Sequence, residues 1–177
     1  MQLWDTGHGL EPCTQDLQAV KMPMPWDLAE KYPNLCSRNI VLVDTPGLDN
    51  TCADDSEILR RISSWLAKCY APDVTIGGIV YMADISQQRM HKSTGTNLEM
   101  LKELVGIDYH HVILVTTQWD EVLPEVGQAR ERELQSTLWK ELIEKGATMF
   151  RATSHPENPD GHHQILGHII DHVDRRE

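Results

Sequence analysis

Two short stretches place a carboxylate at or shortly after the end of an apolar run. In Val43-Asp44-Thr45-Pro46-Gly47-Leu48-Asp49-Asn50 the aspartate closes the run that starts at Asn39, and a glycine follows three residues later. In Thr116-Thr117-Gln118-Trp119-Asp120 the aspartate follows the run His111–Val115. A carboxylate at the mouth of a strand can hold a hydrated magnesium ion, and a glycine N–H, unhindered by a side chain, can approach a terminal phosphate oxygen. That chemistry suits Asp44 with Gly47. A carboxylate can also accept two parallel hydrogen bonds from the N1–H and N2–H2 edge of guanine, a donor pair that adenine lacks. Asp120 is the candidate for that role, and leaving it unpaired against the wrong base is costly. Both patterns have a plainer reading as well: D-x-x-G also ends strands in simple turns, and Thr117 to Asp120 also fits an ordinary strand-to-loop transition.

These carboxylates need elements to carry them. Asn39–Asp44, Gly77–Ala83 and His111–Thr116 are nearly continuous apolar runs, the pattern of parallel strands buried on both faces. Between them, Asp54–Tyr70 sets Ile58, Leu59, Ile62, Trp65, Leu66 and Cys69 on one helical stripe, and Thr96–Val105 does the same with Leu98, Leu101, Leu104 and Val105 before a stop at Gly106. Val126–Lys145 predicts one helix through Leu134, Leu138 and Leu142, Ala147–Thr153 a short last strand, and His162–Val173 a closing helix. A further strand is expected near Gln15–Met22, with the proline-rich Met22–Pro33 as an excursion from it. The alternation predicts a three-layer, doubly wound α/β domain with a mostly parallel sheet, in which Asp44 and Asp120 end their strands where such sheets put ligands.

VDTPGLDN followed by VTTQWDEV resembles the third and fourth nucleotide-binding motifs of G domains in the P-loop GTPase family, in particular those of septin-like and immunity-associated GTPases and of G domain-containing proteins frequent in fungi. The resemblance runs from about Leu10 to the end. It implies GTP or GDP as ligand, Mg2+ as cofactor, and slow or partner-assisted GTP hydrolysis. It implies a nucleotide site of Thr14, Asp44, Gly47, Thr117, Gln118, Asp120 and Ser154. Thr14 would be the switch threonine on magnesium, with Asp44 on the same ion through water, and Ser154 part of a small loop touching guanine. The sequence departs from the family at several positions. Gln118 and Thr117 stand where lysine and asparagine are common, and Leu48 where Ras-like proteins have a water-orienting glutamine, so the resemblance leaves that task to another group or to a homodimer or partner protein across the nucleotide face. No Gly-Lys dipeptide occurs, and 13 residues before Thr14 fall short of the roughly 30 that a strand, phosphate loop and helix need. The expectation is a single partial G domain over 1–177, N-terminally incomplete. The alternatives are a degenerate, nucleotide-free interaction scaffold or a truncated product of a GTPase.

Composition narrows the remaining possibilities. A chain of 177 residues with 40% hydrophobic content can bury one full core. Its net charge of −11 argues against a nucleic-acid or anionic-membrane surface. There is no apolar run of transmembrane length and no CxxC among Cys13, Cys36, Cys52 and Cys69, which fits a cytoplasmic protein with reduced thiols. His168 and His172 lie one helical turn apart, but without an H-E-x-x-H pattern they read as a solvated flank beside Ile165, Ile169 and Val173 rather than as a zinc site. Arg60-Arg61 and Arg130-Glu131-Arg132-Glu133 read as surface charges with local helix pairing, and Trp119 as loop packing or a lid. The polar stretch Ile85–Asn97 is a loop without an assigned role.

Overall fold

The computed structural model describes residues 17–45, 55–69, 74–87, 92–153 and 161–176. They fall into two units divided between Val74 and Thr75.

In the first unit, β1 (Gln18–Pro23) pairs antiparallel with β2 (Asn39–Asp44), in a register that sets Gln18 opposite Asp44 and Pro23 opposite Asn39. The expected excursion between them contains a helix, α1 (Trp26–Lys31), followed by a 3-10 turn at Pro33–Leu35. A six-residue helix is too short to show a period, so only its prolines were visible in the sequence: Pro25 caps it and Pro33 opens the next turn. Leu28, Tyr32 and Leu35 are its buried side chains. The helix α2 (Asp55–Cys69) lies within the bounds expected, with Ile58 buried on its stripe and Glu57 paired to both Arg60 and Arg61 on its surface. The run at Asn39 does not behave as a strand covered on both faces: its partner is antiparallel, and Val41 and Leu42 are about half exposed, 50% and 47%.

The second unit is a parallel sheet in the order β3-β4-β5, made of Ile79–Asp84, Val112–Thr117 and Thr148–Arg151. Its central strand β4 is the continuous apolar run that meets the expectation, with Val112 to Thr116 all buried. The outer strand β3 alternates instead, because it pairs only with β4 among the described residues: Ile79, Tyr81 and Ala83 pack on the core while Val80 and Met82 are exposed. One sheet face is covered by α3 (Lys92–Val105), α4 (Pro124–Ser136) and α5 (Lys140–Glu144), whose Leu98, Leu101, Leu134 and Leu142 join Val112 and Leu114 in one cluster around Trp139. The other face receives α6 (Gly161–Asp174): Ile169 lies against Gly77 and Gly78 at the start of β3, and His168 stacks at 5.2 Å on Phe150 of β5. Ile170, outside the expected stripe, is the buried isoleucine of that helix, and Ile165, Ile169 and Val173 are half buried.

The single helix expected over Val126–Lys145 is broken. Ser136 Oγ and Thr137 Oγ1 donate back to the Arg132 and Glu133 carbonyls at 2.8 and 2.5 Å, competing with the main-chain ladder. The turn that follows delivers Trp139 into the core at 1% exposure. Gly106 ends α3 at φ +83 as its position in the sequence implied, with its N–H on the Lys102 carbonyl.

Candidate functional site

The three carboxyl ends of the second unit's strands point the same way, because the strands are parallel. β4 ends at Thr117, whose Oγ1 donates to the Ala83 carbonyl at 3.4 Å and whose own carbonyl accepts the Ile85 N–H at 3.0 Å. Gln118 then turns the chain at φ 59, ψ 38, the left-handed region, where it is the one non-glycine among the described residues. A side chain with a Cβ enters that region at a cost of roughly 1–2 kcal/mol. A 3-10 turn over Trp119–Glu121 follows, closed by the Glu121 N–H on the Gln118 carbonyl. Gln118 and Asp120 are exposed while Trp119 is half buried. The loop therefore presents its carboxylate to solvent at the carboxyl edge of a parallel sheet.

Trp119 explains how the loop is held. Its Nε1–H donates to Thr116 Oγ1 at 3.0 Å. Its ring lies under the Arg151 guanidinium, 4.3 Å from the centroid, and against Gly127 of α4, where an added Cβ would stand 2.8 Å from the ring. Arg151 ends β5 and is itself fixed by Glu131: Nε stands 2.9 and 3.1 Å from the two carboxylate oxygens and Nη2 closes on Oε2. Hydrogen bonding by Glu131 pushes Arg151 further above the usual guanidinium range. Glu131 is 4% exposed, and Thr116 Oγ1 reaches it at 3.4 Å. The sequence reading of Arg130-Glu131-Arg132-Glu133 as surface charge is therefore wrong for its first two members. Arg130 donates to the Ile85 and Ser86 carbonyls at 2.9 and 2.7 Å, bracing the turn after β3.

That turn holds a carboxylate the sequence did not single out. Asp84, last in β3 and opposite Thr117, accepts hydrogen bonds from Ser86 N–H, Ser86 Oγ and Gln87 Nε2. Partial burial opposes its ionisation, but these bonds and the Arg130 charge outweigh that and hold its carboxyl below the usual range. An aspartate ending an apolar run with serine two residues on is the sequence mark of such a turn.

Of the expected site residues, Thr117, Gln118 and Asp120 come together on this loop. Asp44 ends β2 in the first unit, half buried. Thr14, Gly47 and Ser154 lie outside the described residues, as does Leu48. Among the described residues no three His, Cys, Asp or Glu side chains converge as a metal site, and no helix is long and apolar enough to cross a membrane.

No family model and no curated protein matches the chain. A solved structure does: one from the chloroplast translocon components atToc33 and psToc159, for whose GTPase activity dimerization is important, superimposes with a TM-score of 0.61 at 15% identity, covering 90% of this chain and 68% of that one. The likeness and the parallel β3-β4-β5 sheet between helices give this chain the G-domain form of the P-loop NTPase fold.

Proposed function

We propose that the chain is one G domain that binds a guanine nucleotide, GTP or GDP, and takes part in its slow or partner-assisted hydrolysis. One observation carries the reading: the exposed Asp120 carboxylate on a fixed turn directly after the central parallel strand, in a fold shared with a GTPase. In that role Asp120 accepts from guanine N1–H and N2–H2, with Thr117 and Gln118 on the same loop and Ser154 as a further member of the base site. Asp44 and Gly47 serve the phosphate end. The donor chemistry would suit magnesium, an ion that keeps several waters and takes one or two carboxylates alongside substrate phosphates; Asp44 and Thr14 are the groups that would hold it, Asp44 through water. When bound, the ion would neutralise phosphate charge, while this chain's own groups orient the base and the terminal phosphate.

The kinship with septin-like and immunity-associated GTPases is proposed from the two sequence motifs, and the cytoplasmic placement belongs to the same proposal, from cysteines too widely spaced for a CxxC pair. With Leu48 unable to orient water, a second copy or a partner across the nucleotide face completes the hydrolytic site. The dimerization reported for the translocon proteins supports that arrangement by analogy.

Thermal unfolding of the full chain with magnesium and GDP, with ADP as control, tests the reading. Ligand at about 100 times its dissociation constant adds about 2.7 kcal/mol, raising the midpoint by roughly 5–10 °C. Asp120→Asn exchanges an acceptor for a donor and transfers the preference from GDP to XDP, whose C2 carbonyl needs that donor. A wild-type midpoint that moves equally with GDP and ADP, or with neither, overturns the reading.

A further inference from the structure

Asp120 sits on a turn that its own backbone does not favour. Gln118 occupies the left-handed region, and a residue held there persists only where its surroundings over-determine it. The surroundings here are specific. Trp119, between Gln118 and Asp120, is hydrogen-bonded to Thr116 of β4, stacked under Arg151 of β5 and abutted by Gly127 of α4. Arg151 gains its place from Glu131, a carboxylate almost wholly withdrawn from solvent. The pair is buried at its carboxylate and open to solvent at its guanidinium, and replacing such a pair with apolar side chains of similar volume is often near neutral, so it is more informative as a device that fixes one conformation than as a source of stability. Arginine is the residue type the geometry suits: its planar fork grips both carboxylate oxygens while its face covers an indole, and a lysine ammonium, a point charge, cannot do both at once.

We propose that Glu131, Arg151 and Trp119 form a latch that positions Asp120 for base recognition, with the Arg151 guanidinium coupling the loop after β4 to the end of β5. These are positioning residues: each acts through the next, and none needs to touch the nucleotide. The last step of the proposal rests on the guanine reading above, and the latch itself does not.

The test therefore has two arms. In the first, amide hydrogen exchange is followed in the full chain without nucleotide. Arg151→Met speeds exchange at Gln118–Val122 by about 10-fold relative to wild type. The double variant Glu131→Met/Arg151→Met, which folds without an unpaired buried charge, does the same, while Asp120→Ala leaves the loop unchanged. Wild-type exchange in the double variant overturns the latch. In the second arm, GDP is compared with IDP, whose base lacks the N2 amine. Wild type prefers GDP; Arg151→Met and the double variant bring the ratio of the two dissociation constants to within about twofold of unity, as Asp120→Ala does. A ratio unchanged from wild type in the double variant overturns the positioning role. A wild type that binds GDP and IDP alike overturns base reading by Asp120, and the exchange arm still judges the latch.

Discussion

Removing the two halves of the Glu131–Arg151 pair has unequal consequences, because the halves sit in unequal surroundings. The Glu131 side chain is 5% exposed and the Arg151 side chain 43%. Arg151→Met leaves a buried carboxylate whose remaining partner is a hydroxyl 3.4 Å away. Breaking a buried pair in this way costs about 3–5 kcal/mol, and the open flank on the arginine side lets water follow, which selects the lower end, about 3 kcal/mol. Glu131→Met leaves a guanidinium that turns to solvent, at a cost of about 1 kcal/mol. The double substitution costs about 1 kcal/mol as well, since no uncompensated charge remains, so the coupling between the two sites is about 3 kcal/mol. Urea unfolding of the four proteins gives these values directly, and exchange of the β4 amides assigns them to the unit that holds the pair. Equal losses for the two single variants, or a loss below about 1 kcal/mol for Arg151→Met, would refute the premise that the carboxylate is buried and the guanidinium is not.

Other perturbations have equally definite signs. Gly127→Ala gains about 1 kcal/mol of helix propensity but sets a methyl 2.8 Å from a ring that cannot move freely, so it destabilises by about 1 kcal/mol net and loosens the 118–122 loop, measurable by urea unfolding and exchange. Lys102 and Lys145 hydrogen-bond Glu141 and lower its carboxyl from 4.5 to about 2. That contribution is present above pH 4.5 and lost as pH falls toward 2, so Glu141→Gln flattens the acid limb of a stability profile in that window. Burial lowers His111 and His172 below 6.5, so the fold favours their neutral forms: stability is full above pH 6.5 and falls with acidification, and His111→Gln shrinks the loss seen as the pH drops below 6.5.

What the sequence made legible follows from how locally each feature is determined. β4 is central, so its six residues carry the burial pattern of both faces on their own and can be read as a run; β3 and β2, built of equally apolar residues, pair on one side only among the described residues and cannot be distinguished from it by composition. The helix stop at Gly106 was visible because a positive φ asks for glycine, whereas the break after Ser136 depends on hydroxyls that fold back on the chain and a tryptophan that needs a deep site, neither of which a period reports. Thr117, Gln118 and Asp120 were found because they end the strand that was easiest to read. Glu131 reads with its charged neighbours as surface charge, yet it falls four residues after Gly127 and three before Leu134, both buried, on the face of α4 that meets the core. A carboxylate on an apolar stripe demands a cation, and the arginine that ends the next strand is the group a parallel sheet brings to the same edge. The ion pair is thus latent in the helical period, which here outweighs the tendency of runs of mixed charge to face solvent.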